Sequence, residues 1–177
     1  AEIYAAGGQS GIARTELKAF ATDAIKMGVA FDQTAAESGK MMSVWRTSFK
    51  LGQDGVVELA DKINHLGNNG PATTKQISAI VTRVGALGGV AGMSTGQVAA
   101  MGAALTGVGV SEEIAATGIK NFTLALNAGA SATKGQAQMF KALRLDSKSL
   151  SKGMQTDAQG TMVKVLKAIS KVDKDKQ

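Results

Sequence analysis

The sequence predicts an all-α domain, and three observations support that prediction. Residues that favour strands are scarce, since only 4% of the 177 residues are aromatic, and alanine, leucine, lysine and methionine recur throughout. Apolar residues repeat at helical spacing. Between these segments, Ser or Thr is followed three residues later by Glu or Gln, a pattern typical of helix starts.

Four such pairs mark predicted helix starts, where the two side chains satisfy backbone donors reciprocally. They are Thr34/Glu37, Thr73/Gln76, Ser94/Gln97 and Thr133/Gln136. Three of these pairs lie in glycine-containing stretches, GVAFDQTAAE (28–37), GVAGMSTGQ (89–97) and AGASATKGQ (128–136), and a fourth stretch of this kind is GVGVSEE (107–113). Because glycine favours the left-handed conformation that ends a helix, each stretch is predicted to end one helix and begin another.

The spacing predicts about eight short antiparallel helices joined by Gly, Ser and Thr turns. The first four carry the faces Leu17/Phe20/Ala24/Met27, Met41/Trp45/Phe49, Val56/Leu59/Ile63/Leu66 and Ile77/Ile80/Val84/Leu87. Later helices are expected at 95–106, 112–127, 134–143 and 158–171, with a short one at 148–154. The breaker run Gly67-Asn68-Asn69-Gly70-Pro71 makes 67–72 the candidate seam between subdomains of a single domain, 1–177.

A run of 28 uncharged residues lies between Arg83 and Glu112, and about 20 apolar residues suffice to cross a bilayer. The run is either a membrane span or a buried helical hairpin. It is interrupted at Gly92-Met93-Ser94-Thr95, and most of its residues are Ala and Gly, which gain little from hydrocarbon. The hairpin is the favoured interpretation, and a membrane-perturbing segment is the alternative.

The net charge of +6 arises in the last quarter of the chain, because residues 1–133 carry ten basic and ten acidic residues and 134–177 carry ten and four. The helix from Ala158 is predicted to place Met162, Leu166 and Ile169 on one face, flanked by Val165 and Val172. The opposite, basic face carries Lys164, Lys167 and Lys171, with Lys174 just beyond. This face is a candidate partner-binding surface for anionic lipid or nucleic acid. The alternative is a solvated face with lysines favoured near a helix C-terminus.

Residue types that carry catalysis or bind metals are sparse. The chain has no cysteine, and His65 is its one histidine, which excludes thiolate and histidine-cluster metal sites. His65 is predicted to lie on the solvated side of its helix. The glycine-rich segments GGQSG (7–11) and GALGGVAG (85–92) neither follow a strand nor contain the Gly-Lys-Ser/Thr of a phosphate loop. We predict no catalytic, cofactor-binding or metal-binding residue, and we do not expect an enzyme.

Several segments together resemble the core region of bacteriophage tail tape-measure proteins, particularly those of contractile-tailed temperate phages and prophages. The resemblance is carried by MGVAFD (27–32), LADKINHLGNN (59–69), GMSTGQ (92–97) and GVSEEIAATGIKN (109–121), and it extends over nearly the entire chain. It implies a largely helical protein around which tail-tube subunits polymerise, so that its length sets tail length. The same resemblance implies that the protein occupies the tube lumen and leaves ahead of the DNA.

The resemblance also implies partners: the tail-tube protein, tail assembly chaperones, baseplate or tail-tip proteins and further copies of the chain, with transient contact to host membrane or DNA. It implies a location in the virion, and in the host cytoplasm during assembly. The chain begins at Ala1 without a basic segment leading to an apolar one, so we expect no signal peptide. The linker-like end KVDKDKQ (171–177) suggests a piece of a longer protein. Beside the structural segment and the membrane-perturbing segment, a third hypothesis is a lytic domain, which requires a pair of acidic side chains in a cleft.

Overall fold

A computed structural model describes residues 2–86 and 92–172, and within them the chain forms ten α-helices and no strand. The helices are α1 (Glu2–Gln9), α2 (Leu17–Phe31), α3 (Ala35–Phe49), α4 (Gln53–Asn69), α5 (Thr74–Ala86), α6 (Thr95–Gly107), α7 (Glu112–Asn127), α8 (Lys134–Ala142), α9 (Ser147–Thr156) and α10 (Ala158–Ile169). A 3-10 turn, Gly129–Ser131, precedes α8. The all-α prediction is confirmed, with ten helices rather than about eight.

Helix α1 is the element that the sequence did not predict. Its adjacent glycines, Gly7 and Gly8, disfavour a helix in isolation. Tertiary packing outweighs that preference, because a Cβ on the buried Gly7 would lie 2.7 Å from Leu17 Cδ2 and 3.0 Å from Phe20 Cδ1. Glycine therefore allows α1 to lie directly against α2.

Reciprocal capping bonds begin four helices, as predicted. At α3, the Glu37 N–H donates to Thr34 Oγ1 (3.2 Å) and the Thr34 N–H donates to Glu37 Oε2 (2.8 Å). Gln76, Gln97 and Gln136 make the corresponding bonds at α5, α6 and α8. These bonds satisfy N–H groups that have no partner within the helix, and so they fix where each helix begins.

Left-handed residues separate the helices, although not always at the predicted glycine. Gly92, Gly109 and Gly129 have φ of +86°, +90° and +53°, and they lie in three of the four predicted stretches. The prediction is wrong for Gly28, which lies inside α2, while Asp32 forms the left-handed cap with φ of +52°. Gly28 is required for a close approach instead, because a Cβ there would lie 2.9 Å from the carbonyl oxygen of Gln33.

The larger buried cluster is drawn mainly from α2 to α7 and includes Trp45. The Trp45 side chain is fully buried, its ring centroid lies 6.4 Å from that of Phe31, and its Nε1–H donates to Thr82 Oγ1 at 2.9 Å. A buried donor without a partner costs about 1–3 kcal/mol. This bond therefore favours one orientation of α3 against α5.

A smaller buried cluster joins the end of α7 to α8, α9 and α10. Its members are Leu126, Phe140, Leu150, Met154, Ala158, Met162 and Val165. Met93 and Met101 pack against both clusters, and Met93 Sδ lies 3.3 Å from Thr123 Oγ1 on α7. Methionine side chains adapt to irregular gaps, which suits them to the junction between two cores.

The uncharged run takes in the end of α5 and all of α6, and these two helices pack against each other. Gly102 on α6 permits this contact, because a Cβ there would lie 3.1 Å from Ile80 Cγ2 on α5. Leu87, which the sequence pattern adds to α5, lies outside the described residues. In the ranges 2–86 and 92–172, no helix is long and apolar enough to cross a bilayer.

The segment 67–72 connects α4 to α5. Helix α4 continues to Asn69, so the first breaker residues are helical. The larger cluster takes side chains from both sides of the segment, among them Ile63 and Ile77. A subdomain seam at 67–72 stays a prediction.

Replacing Gly92 with alanine is expected to lower the free energy of unfolding by more than about 2 kcal/mol. A φ of +86° strains an L-residue, and the new Cβ would overlap the carbonyl oxygen of Met154 at the end of α9. Gly109→Ala is the matched control, because φ there is +90° and no atom lies within 4 Å of the added Cβ. Urea unfolding measures both variants, and equal losses would mean that the contact with α9 contributes nothing.

The capping pair of α3 is expected to make stability depend on pH. Hydrogen bonds from the Thr34 N–H and hydroxyl, supported by the charges of Lys75 and Lys40, hold the pKa of Glu37 below its ordinary value of 4.5. Because the folded-state pKa is the lower one, ionised Glu37 stabilises the fold above about pH 4.5. That stabilisation is lost as the pH falls through the folded-state pKa.

The test compares the Tm of the wild type and Glu37→Gln between about pH 7 and pH 3. The wild type is expected to lose more of its Tm on acidification, because the glutamine side chain of the variant does not titrate. Gln97→Glu is the converse control, since it introduces a titrating carboxylate into the equivalent cap of α6. A Tm difference between wild type and Glu37→Gln that is constant with pH would contradict this prediction.

Candidate functional site

Helix α10 buries one face against the smaller cluster, and that face includes only part of the apolar group that the sequence pattern places together. The buried residues are Ala158, Thr161, Met162 and Val165. Leu166 and Ile169, predicted to share a face with Met162, are 52% and 39% exposed. Both sets fit a helical repeat, and contact with α9 selects the observed one.

The lysines of α10 and of the turn after it line a groove together with the turn that follows α8. Lys164, Lys167 and Lys171 lie on one side and Arg144 on the other, and all four are exposed. The groove has a volume of about 760 Å³. Lys174, the fourth lysine of the predicted face, lies outside the described residues. We term the surface formed by Arg144, Lys164, Lys167, Lys171 and the side chains between them the basic groove.

The turn between α8 and α9 positions Arg144. Arg144 adopts a left-handed φ of +56°, and the Leu145 N–H donates to the Phe140 carbonyl at 2.8 Å. Since Phe140 is buried in the smaller cluster, this bond ties the backbone of the turn to the core. Sequence reasoning missed Arg144 because α9 separates it from Lys164 along the chain. Its one signal was the excess of basic residues after residue 133.

Apolar groups make up most of the remaining lining of the basic groove. They belong to Ala142, Leu143, Leu145, Val163, Ala168 and Val172, with Gly160. Among the described residues, no carboxylate lines the groove. The ion pairs in this part of the chain, Arg46–Glu16 and Lys62–Glu58, involve none of the four cations of the groove. Four cations without a carboxylate among them favour an anionic partner. The apolar lining favours a partner that also has apolar groups to bury.

A second groove lies where α10 faces α6 and Lys62. It has a volume of about 490 Å³, and its apolar lining includes Met101, Met162 and Leu166. Val163 lines both grooves. Two exposed apolar side chains of α10, Val163 and Leu166, therefore lie in or next to the basic groove.

His65 and the described parts of the two glycine-rich segments do not line these grooves. His65 is exposed, as predicted, and the Asn69 side-chain amide donates to its carbonyl at 2.8 Å. The glycines of 7–11 form the end of α1 and the turn after it, and most of 85–92 lies outside the described residues. Among the residues that the structure describes, no three His, Asp or Glu side chains are grouped as a metal site would require.

Comparison with known proteins identifies the family. A sequence model described as "Phage-related minor tail protein" matches residues 1–177. The chain belongs to this phage minor tail protein family. It is also 37% identical, over 185 residues, to the "Probable tape measure protein" of Halomonas phage phiHAP-1.

That alignment covers 100% of this minor tail protein chain and 22% of its relative, so the chain spans less than a quarter of the relative's length. No solved structure matches the chain. The two matches confirm the resemblance to tape-measure proteins that the segments between Met27 and Asn121 indicate. They place the chain among the structural proteins of phage tails.

Met162→Ala and Leu166→Ala test which face of α10 is buried. Met162→Ala is expected to lower the free energy of unfolding by about 2–5 kcal/mol, because it empties a packed position. Leu166→Ala should change it by less than about 0.5 kcal/mol, because its side chain is half exposed. Urea unfolding followed by circular dichroism measures both, and equal losses would mean that Leu166 contributes as much to packing as Met162 does.

Proposed function

We propose that this domain is a structural and assembly segment of a phage tail tape-measure protein. In this proposal the full-length protein sets tail length while tail-tube subunits polymerise around it in the host cytoplasm. It then occupies the tube lumen of the virion and is released during genome ejection. Such a role depends on binding and not on catalysis.

The observation that carries the proposal is the alignment of the whole chain with a segment of a probable tape measure protein. This segment makes up 22% of that relative. A chain that measures length has to be long, and a domain of this size can supply only a part of it. The function therefore belongs to the full-length protein.

The surface of the domain is compatible with contacts to several partners. We propose that these are the tail-tube protein, tail assembly chaperones, baseplate or tail-tip proteins and other copies of the chain. The basic groove, with Lys164, Lys167 and Lys171 and with Lys174 nearby in sequence, is the surface that we propose for such contacts. Its charge also suits transient contact with DNA or an anionic host membrane during ejection.

A membrane-interacting role for the uncharged run gains no support from the fold. Within the run, the end of α5 and helix α6 bury Val84, Val98 and Ala99 inside the larger cluster. Burial within the domain already removes these apolar side chains from water, so the free energy that a bilayer would supply is already gained in the fold.

Deleting residues 1–177 in frame from the full-length protein is expected to shorten or abort tails. Electron microscopy of stained virions measures the change in tail length. If the segment is threaded as an extended helix, the loss is about 270 Å at 1.5 Å per residue. If it stays compact, the loss is nearer the domain diameter of about 40 Å.

The matched control is an in-frame deletion of equal length from another helical part of the same protein. If the protein sets tail length, both deletions should shorten the tail. The tail length lost in each case distinguishes a threaded chain from compact modules. Tails of normal length after deletion of residues 1–177 would overturn the proposal.

A further inference from the structure

The basic groove is suited to an occupant that carries both negative charge and apolar groups. Its four cationic side chains line the same groove as Leu143, Leu145 and Val163. The five residues beyond Val172 contain two Asp and two Lys, so they do not balance the charge. A nucleic acid would neutralise the cations, but its phosphate backbone would bury little of the apolar lining, and among the described residues no aromatic ring lines the groove for bases to stack on. A helical segment with carboxylates and aliphatic side chains fits both features.

The turn from α6 into α7 has this composition. Val108 and Ile114 are 80% and 67% exposed although both are aliphatic. Glu112 and Glu113 occupy the first turn of α7 beside them, and they are the only charged residues between positions 84 and 119. We term Val108, Glu112, Glu113 and Ile114 the acidic tip.

The acidic tip cannot fill the basic groove of its own molecule. It lies at the start of α7, which spans Glu112–Asn127, or about 24 Å at 1.5 Å per residue. Near the other end of α7, Leu126 packs in the smaller cluster with Phe140 and Val165. Those two residues belong to α8 and α10, which hold the two sides of the groove. A helix therefore keeps the two surfaces apart, and a contact between them has to join two molecules.

We infer that the acidic tip of one copy docks into the basic groove of a second copy of this chain. The two carboxylates of the tip meet the four cations of the groove, and Val108 and Ile114 pack against its apolar lining. Because the two surfaces differ, a single contact is head-to-tail: the copy that supplies the tip keeps its groove free for a further copy, and the copy that supplies the groove keeps its tip free. Such contacts close into a ring or continue as an open row. The inference does not depend on length control, and its test uses the isolated domain.

Cross-linking between two single-cysteine variants tests the contact directly. The chain contains no cysteine, so a flexible bis-maleimide reagent reacts only at positions that are introduced. Ile114→Cys is mixed with Val163→Cys, and mass spectrometry quantifies the mixed dimer. Leu124→Cys replaces Ile114→Cys in the control, because Leu124 is 57% exposed on the same helix and has no carboxylate near it in sequence. We expect about tenfold more mixed dimer from the first pair.

Charge reversal separates a specific contact from random collision. Glu112→Lys with Glu113→Lys in the tip partner is expected to lower the yield about tenfold, because like charges then face each other. Adding Lys164→Glu and Lys167→Glu to the groove partner should restore the yield of mixed dimer. All four side chains are at least partly solvent-exposed, so circular dichroism should show unchanged folding. Raising the salt to about 1 M, where the Debye length is about 3 Å, should also reduce the wild-type contact.

Equal yields from Ile114→Cys and Leu124→Cys, or a failure of the double reversal to restore the yield, would overturn the inference. Titration with a short DNA duplex tests nucleic acid as the alternative occupant of the basic groove. Binding of the duplex that is lost on Lys164→Glu and Lys167→Glu, without the mixed dimer, would assign the groove to nucleic acid. None of these results alters the expected tail lengths after deletion, so the two proposals fail separately.

Discussion

Helix α7 belongs to both buried clusters, and the arrangement of the whole domain depends on this. Its first half packs the small residues Ala115 and Ala116 into the larger cluster, and Leu126 near its end packs into the smaller one. Small side chains allow α5 and α6 to lie close to α7, while the larger Leu126 fills the space beneath α8, α9 and α10. The length of α7 therefore sets the separation between the basic groove and the acidic tip. Met93 and Met101 add contacts across the junction without constraining it as tightly, because methionine tolerates several packings.

The helix starts were predictable because their signals are local. A side chain such as Thr133 and its partner Gln136 lie within one turn, so the bonds between them depend little on the rest of the fold. Ser111 lacks such a partner, since Ile114 stands three positions on, and it begins α7 without a side-chain capping bond. The predictions of helix boundaries were wrong where contacts with residues distant along the chain determine the local structure. Gly7 is helical because α2 packs against it, and Gly28 stays inside α2 although the sequence favoured a stop there.

The candidate site was predictable only in part, for the same reason. The lysine spacing on α10 gives one side of the basic groove from sequence alone. Arg144 on the other side depends on the reversal of the chain through α9 and on a left-handed turn at a residue that is not glycine. The buried face of α10 was also beyond sequence reasoning, because two apolar sets share the helical repeat. The neighbouring helix, and not the periodicity, determines that Val165 is buried and that Leu166 meets solvent.

The position of Trp45 has a practical consequence for following the unfolding of this domain. It is the one tryptophan of the chain, and it is fully buried among α2, α3 and α5. Its fluorescence emission thus reports on the larger cluster and is silent about α8, α9 and α10, whereas the far-ultraviolet signal sums over every helix. Where the two optical melting curves coincide, the halves of the molecule unfold as one cooperative unit. A gap between the curves would measure how loosely the last three helices are held.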